Sequence, residues 1–286
     1  MPPSPPSPPQ RRGTPIGLIV GVVILVLILV IGGLLALLLR QGTTTGTPQA
    51  TSTVSISPAQ LTATTQAQAS ATAQAAITAT AAANATATAS VNAANPNPYA
   101  PGGGKLAILD PLSNNSLGYQ WDVANGSTGS CTFTGGVYQV STPKTQFFLF
   151  CASNSTTYNN FAFEAQMKIL KGDCGGLIFR GDLNTGTLYL FELCQDGSYN
   201  LFIYRDFNGN STLLANGTSA AIKPGLNNSN TIAVTAQGTT LTAYVNMQKV
   251  ASVTDRSYSQ GYIALVTDAN NNPTQVAFSN ARLWTL

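Results

Sequence analysis

Few residues in this chain can do chemistry. Histidine is absent. That removes Ser-His-Asp and Cys-His nucleophilic catalysis, together with the commonest zinc ligand. Glu164 and Glu192 are the two glutamates. A glycoside-cleaving pair needs two carboxyl groups about 5–5.5 Å apart for retention, or about 6.5–9.5 Å apart for inversion. The cysteines are Cys131, Cys151, Cys174 and Cys194, with no Cys-x-x-Cys spacing and no sign of an activated thiolate. Asp206-Phe-Asn208-Gly-Asn210 and Asp268-Ala-Asn270-Asn-Asn272 space oxygen ligands by two, as a calcium loop does. An EF-hand also requires Gly at its sixth position and Glu at its twelfth. Ser211 and Gly217 stand there in the first run, and Pro273 stands at the sixth position of the second. Both runs read first as ordinary turns. No cofactor is expected, with Ca2+ the alternative at these loops. Arg180-Gly181-Asp182 reads as a strand-end arginine and a Gly-Asp turn in preference to an integrin-type tripeptide.

Short alternating strands must position these groups. With a turn at Asn184, the stretch CGGLIFRGDLNTGTLYLFELC folds as a hairpin in which Arg180 faces Leu188, Ile178 faces Leu190, Gly176 faces Glu192 and Cys174 faces Cys194. Directly opposed residues hold their β-carbons about 4.5–5.5 Å apart, close to disulfide reach. The expected bridges are therefore Cys174–Cys194 and, by exclusion, Cys131–Cys151. A two-residue turn in QDGS sets Glu192 against Leu201 and Phe191 against Phe202. A three-residue turn at residues 171–173 sets Lys168 against Gly176 and Glu164 against Arg180. In that register Phe163, Ala165, Met167, Leu177, Phe179, Tyr189, Phe191, Phe202 and Tyr204 form the core face. Glu164, Gln166, Lys168, Arg180, Glu192 and Arg205 share the other face. Glu164 and Glu192 are then well beyond about 10 Å apart, each beside a cation, which suits a salt bridge better than a general acid.

Upstream of Lys105 the texture differs. Residues 1–12 read MPPSPPSPPQRR, an extended polyproline stretch. Residues 16–39 are uncharged and almost wholly apolar. As a helix they measure about 36 Å, enough to cross a hydrocarbon core of about 30 Å. Arg11 and Arg12 precede this run and only Arg40 follows before Lys105. The positive-inside rule then puts the N-terminus in the cytoplasm and the rest outside the cell. Gly13, Gly17 and Gly21 are spaced by four, as on a helix-dimer face. Residues 41–104 hold no charge until Lys105 and consist largely of Thr, Ala, Ser and Gln, a stalk with frayed helix at most. The expected organisation is a Pro-rich cytoplasmic tail (1–15), a single transmembrane helix (16–39), a low-complexity extracellular stalk (40–104) and a β-sandwich domain (105–286). Asn-x-Ser/Thr sites occur at Asn84, Asn114, Asn125, Asn154, Asn210, Asn216 and Asn227.

From Lys105 onward, runs such as GVYQVS, FFLFC, NTIAVTA and GYIALVT alternate with the turn signals KGD, NTG, QDGS and AQG. That pattern predicts an antiparallel sandwich or barrel. Residues 105–286 hold ten basic and ten acidic side chains, so no nucleic-acid partner is expected. Taken together, FAFEAQMKILKGDCGGLIFRGD, LYLFELCQDGSYNLFIYRD, NTIAVTAQGTTLTAYVNMQKVASVTD and QVAFSNARLW resemble concanavalin A-like jelly rolls. The likeness is to the laminin-G and family 16 glycoside hydrolase kind displayed outside bacterial cells. It spans about residues 106–286 and implies an all-β, antiparallel two-sheet jelly roll. Family 16 enzymes carry a Glu-x-Asp-x-x-Glu strand. Here Glu164 is followed by AQMKI and Glu192 by LCQDG, so no catalytic residue carries over.

The expected protein is a membrane-anchored extracellular module that binds a ligand, carbohydrate above all, without catalysis. Glu164, Gln166, Lys168, Arg180, Glu192 and Arg205 are its candidate contacts, with Tyr119 and Trp121 if a neighbouring loop folds over. Membrane lipid, a glycan or a cell-surface protein, and a second copy through the helix are the partners this reading allows. A structural or protein-binding ectodomain and a carbohydrate-active hydrolase are the alternatives. A cleft of clustered aromatics favours the first reading, a flat charge-paired sheet the second, and two carboxylates converging in a pocket the third.

Overall fold

In a computed structural model of the chain, residues 58–99 and 103–286 are described. The tail (1–15), the apolar run (16–39) and the glycine triplet lie outside the described residues. No helix among the described residues is long and apolar enough to cross a membrane. The chain divides into two units, Met1–Ala71 and Thr72–Leu286, and the sandwich belongs to the second.

Much of the expected stalk is helical, as α1 (Pro58–Ala94). Alanine's helix propensity prevails over the β-branched threonines. Thr78, Thr80, Thr86 and Thr88 turn their hydroxyls back onto carbonyls four residues earlier, at 2.9–3.0 Å. This back-bonding satisfies the hydroxyl without breaking the ladder.

Two antiparallel sheets face each other. Across the large sheet the order is β13 (Gln248–Thr254), β12 (Thr240–Val245), β11 (Ser229–Gln237), β6 (Phe161–Lys171), β15 (Thr274–Thr285), β4 (Val137–Thr142), β3 (Gly129–Thr134) and β2 (Ala124–Gly126). β1 (Lys105–Asp110) pairs with the second half of β15. The small sheet runs β10 (Ser211–Thr218), β9 (Ser198–Tyr204), β8 (Thr187–Cys194), β7 (Cys174–Asp182), β14 (Gly261–Ala269) and β5 (Phe147–Tyr158). Alternate residues point between the sheets, so Phe161, Phe163 and Met167 of the large sheet meet Leu177, Phe179, Tyr189 and Phe191 of the small one in a single buried core.

From Cys174 to Phe179 the β7–β8 hairpin pairs as its sequence predicts: Cys174 opposes Cys194, Gly176 opposes Glu192 and Ile178 opposes Leu190. Beyond Phe179 the register shifts, so Asp182 opposes Thr187 and the expected Arg180–Leu188 pair is not made. Two further expected registers fail. The turn after β6 does not close a hairpin. Gly172, at φ +86°, sends the chain across the core into the other sheet. There β7 pairs with β8 and β14, while β6 pairs with β11 and β15. An arch of this kind keeps the inward phase of both strands and so looks like a hairpin in sequence. After β8 the loop holds three residues, closed by Gly197 N donating to Cys194 O at 3.0 Å with Gly197 at φ +90°. The extra residue shifts the pairing by one, so Phe191 opposes Leu201 and Glu192 opposes Asn200. Leu201 and Ile203 enter the core, whereas Phe202 and Tyr204 turn to the outer face.

Both disulfides form as expected. Cys174–Cys194 staples the hairpin, with Cα atoms 4.0 Å apart. Cys131–Cys151 joins β3 to β5, and so joins the two sheets, with Cα atoms 5.9 Å apart. Replacing Cys131 and Cys151 together with alanine releases a loop with a sequence separation of 20. The expected cost is about 3 kcal/mol, or roughly 6–12 °C in Tm for a domain of this size. Thermal melts by circular dichroism check it, and an unchanged Tm would contradict the assignment of this bridge as a structural staple.

The end of α1 and the chain just past it are fastened to the outer face of the large sheet. Trp284 Nε1 donates to Asn95 O at 2.9 Å, Leu106 N donates to Asn92 Oδ1 at 3.0 Å, and Tyr99 OH donates to Glu164 Oε2 at 2.6 Å. The Tyr99 ring lies 4.8 Å from Tyr244 and 6.4 Å from Trp284.

Candidate ligand-binding cleft

The outer face of the small sheet is where aromatic and acidic groups converge. Strand alternation puts Phe148 and Phe150 of β5, Val266 and Asp268 of β14, Gly176 of β7, Glu192 of β8, and Asn200, Phe202 and Tyr204 of β9 on this side. The turn after β9 brings Phe207 over the face, its ring stacked 6.3 Å from Phe150 at 7°. Phe148 meets Tyr204 edge-on at 5.1 Å. Together with Asp268, Asn270 and Asn208 these rings line a cleft of about 610 Å³. Gln146 Nε2 donates to Asn270 O at its rim.

Gly176 makes the floor of this region work. A β-carbon there would lie 2.1 Å from Phe191 O, so no side chain fits. The gap over β7 lets Glu192 of β8 reach Asp268 of β14, two strands away. Glu192 is buried, and Asn200 Nδ2 donates to its Oε1 at 2.8 Å. Its Oε2 has no ordinary donor. Burial, and then the Asp268 charge, push the Glu192 carboxyl up to about 8. Burial also raises Asp268, although its hydrogen bond with Glu192 opposes the rise and Asp173 adds to it. These facts agree if the proton sits on Glu192 and is donated from Oε2 to the Asp268 carboxylate. Like charges in contact cannot both ionise at neutral pH. Burial, followed by the two acids, pushes the Tyr204 phenol up to about 12.

Cys174, Glu192 and Cys194 also lie together, but both sulfurs are spent in the disulfide, so no thiolate is left to hold a metal. In the first calcium-like run the carboxylate is turned onto an amide, Asp206 Oδ1 accepting from Asn208 N at 2.8 Å. In the second, Asp268 faces Glu192, and the amides of Asn271 and Asn272 donate to a carboxylate from outside the run, Asp173 Oδ2, at 2.6 and 2.8 Å.

The eight sequence candidates are scattered, and Glu192 alone adjoins the cleft. Glu164, Gln166 and Lys168 lie on the outer face of the large sheet. Glu164 is buried there between Tyr99 and Arg282, whose Nη1 is 3.3 Å from Oε1. Burial lifts the Glu164 carboxyl above its ordinary range despite both hydrogen bonds. Gln166 Oε1 accepts from Ser279 Oγ and Asn280 Nδ2. Lys168 is exposed beside a shallow hollow. Glu164 therefore does not meet Arg180, nor Lys168 Glu192, because the arch after β6 separates them. Arg180 is buried, with its guanidinium on the carbonyls of Asn159, Gly238 and Tyr258. That removes both its expected partner and the exposed tripeptide. Arg205 is exposed at the far side of Tyr204, acting on Asp255 and Tyr258. Trp121 is a core residue whose Nε1 donates to Asp110 Oδ2 at 3.0 Å, and Tyr119 is half-buried with its hydroxyl accepting from Leu109 N. The sequence reading missed Phe148, Phe150, Asn200, Tyr204, Phe207 and Asp268 as one group. Their signal was the phase of FFLFC and of GYIALVTDA, which becomes readable only when β5 and β14 are known to share a sheet with β7.

No family model matches the chain, and no curated protein matches it. Solved structures do. The carbohydrate-binding module CBM66 from Bacillus subtilis aligns at 22% identity and TM-score 0.47, over 58% of this chain and 96% of that one. A Bacillus subtilis protein described as having a galectin-like fold aligns at 14% identity and TM-score 0.49, over 64% and 96%. The β-glucanase of Bacillus licheniformis aligns at 15% identity and TM-score 0.43, over 65% and 99%.

Proposed function

We propose that the chain is a non-catalytic carbohydrate-binding module that takes its ligand in the cleft on the outer face of the small sheet. The observation that carries this is the clustering of Phe148, Phe150, Tyr204 and Phe207 around an open cleft with Asp268 and Asn270 at its edge. Sugars offer apolar C–H faces and a fringe of hydroxyls. Aromatic walls with a few placed polar groups answer both. Catalysis is disfavoured because Glu192 and Asp268 are in mutual hydrogen-bond contact. A hydrolytic pair must stand apart with the scissile bond between them.

Display outside the cell, behind a membrane helix at residues 16–39, completes the reading. Its supports are the uncharged apolar run with its arginine flanks and the two disulfides, which belong to an oxidising compartment. On the outer face of the large sheet, by contrast, the aromatic rings of Tyr99, Tyr244 and Trp284 pack on one another, and polar side chains pair internally, through Arg282–Glu164 and Gln275–Gln139.

Glycan-array binding by the full chain in detergent micelles tests the proposal. Saturable binding to a related set of glycans is expected. Phe148→Ala and Tyr204→Ala should each weaken it about tenfold, the equivalent of about 1.4 kcal/mol. Binding undiminished in both variants would place the site elsewhere.

A further inference from the structure

We propose that the small-sheet cleft selects a cationic glycan, one that carries free amines, with Asp268 as the group that recognises the charge. This rests on the carbohydrate reading and narrows it. The first ground is charge without a counterion. Asp268 lines the cleft, and the ionisable groups beside it are both acids, the protonated Glu192 and Asp173, with no cation among them. Among the described residues the one ion pair is Arg282–Glu164, on the other sheet. Lys144 is exposed, and its ammonium already sits 4.9 Å from the ring centroid of Phe147, a residue that lines the cleft. Arg205 spends its field on Asp255 and Tyr258.

The second ground is the acid behind Asp268. Glu192 is 2% exposed, and its Oε2 lacks any ordinary donor. A buried carboxyl facing a carboxylate is a poor environment for a second anion and an attractive one for an ammonium. The third ground is the walls. Phe148 and Tyr204 stand edge-to-face and Phe150 stacks with Phe207, and all four rings line the cleft that Asp268 lines. Aromatic faces attract cations most when water is kept away. A neutral sugar uses the rings alone. An amino sugar uses rings and carboxylate together, and a carboxylated sugar is repelled.

Two oligosaccharides that share a backbone and differ in charge make the test. Calorimetry at pH 6 compares the glucosamine tetramer with the N-acetylglucosamine tetramer, using the full chain in detergent micelles. The amine tetramer is expected to bind at least about tenfold more tightly. Asp268→Asn should erase that difference. Asp182→Asn, which changes an exposed carboxylate at the opposite end of β7, should leave it intact. Equal affinities, a preference for the acetylated tetramer, or a preference that survives Asp268→Asn would overturn the inference. If neutral glycans bind and amine-bearing ones do not, the carbohydrate reading stands and this one falls. If no glycan of either kind binds, both fall.

Discussion

Glu192→Gln should make the protein markedly more resistant to alkaline conditions. Folded Glu192 holds its proton up to about pH 8, whereas in the unfolded chain a glutamate releases it near about 4.3. Between those values the folded state binds one more proton than the unfolded state, so stability falls as pH rises. The contribution is fully present below the lower value and is lost by the upper one. Each pH unit across the window costs on the order of 1.4 kcal/mol, several kcal/mol in all. Asp268, also raised, works in the same direction. Glutamine imitates the protonated acid, since its carbonyl accepts from Asn200 and its amide donates to Asp268. The variant should match the parent near pH 5 and exceed it by several kcal/mol near pH 9. Thermal melts at both pH values and at pH 7 measure this. Parallel pH profiles for the two proteins would show that Glu192 does not hold the shared proton.

Arg180→Ala carries the second large effect. The side chain is 1% exposed and has no carboxylate. Its Nε and Nη2 donate to Asn159 O at 3.1 and 2.9 Å, and its Nη1 to Gly238 O and Tyr258 O at 2.9 and 3.1 Å. Those carbonyls lie in the connections β5–β6, β11–β12 and β13–β14, so one planar fork ties three loops. Arg180 itself sits at φ +48° where the β7–β8 register shifts, a conformation that costs about 1 kcal/mol or more. The fork has to outweigh that strain. Each acceptor left buried without a donor costs about 1–3 kcal/mol. With water entering the vacated space, the expected net loss is about 3 kcal/mol, or roughly 6–12 °C in Tm. Arg180→Lys should recover less than half, because an ammonium on a flexible stem cannot span the three carbonyls. Hydrogen exchange should rise first at residues 159–160, 238 and 258. A lysine variant as stable as the parent would show that charge alone suffices.

The sequence made the inward phase of β6, β7 and β8 legible, missed that of β9, and left open which strands would be neighbours. Alternation identified Phe163, Met167, Leu177, Phe179 and Tyr189 as core, and all are buried. It paired Cys174 with Cys194 because the register of one hairpin is local. It failed at Gly172, where a hairpin and an arch put the same side chains inward. The consequence was an error of partner, not of face. Gly176 does let a charged group reach Glu192, but from β14 on its far side and not from β6. At Gly197 one additional loop residue moved Phe202 and Tyr204 out of the core and into the cleft. Asp268 looked like a turn ligand because nothing local shows that its strand lies beside β7. Contacts that depend on sheet order are beyond what alternation encodes.

The Cys131–Cys151 bridge acquires a mechanical meaning from its position. The segment after α1 grips the outer face of the large sheet through Asn95, Tyr99 and Trp284. The cleft opens on the outer face of the small one. Under the proposed function, a module tethered through α1 and pulled by a ligand seated in that cleft would carry tension across the thickness of the sandwich. Core packing and hydrogen bonds such as Tyr199 OH to Val250 O at 2.8 Å also join the layers, but among the described residues this disulfide is the one covalent cross-link between them, and it ends on β5, the strand that carries Phe148 and Phe150. Packed side chains slide and reseat under shear, whereas a covalent link does not. The bond therefore sits on the load path, where it sets how far the two layers can separate before the grip on the ligand is lost.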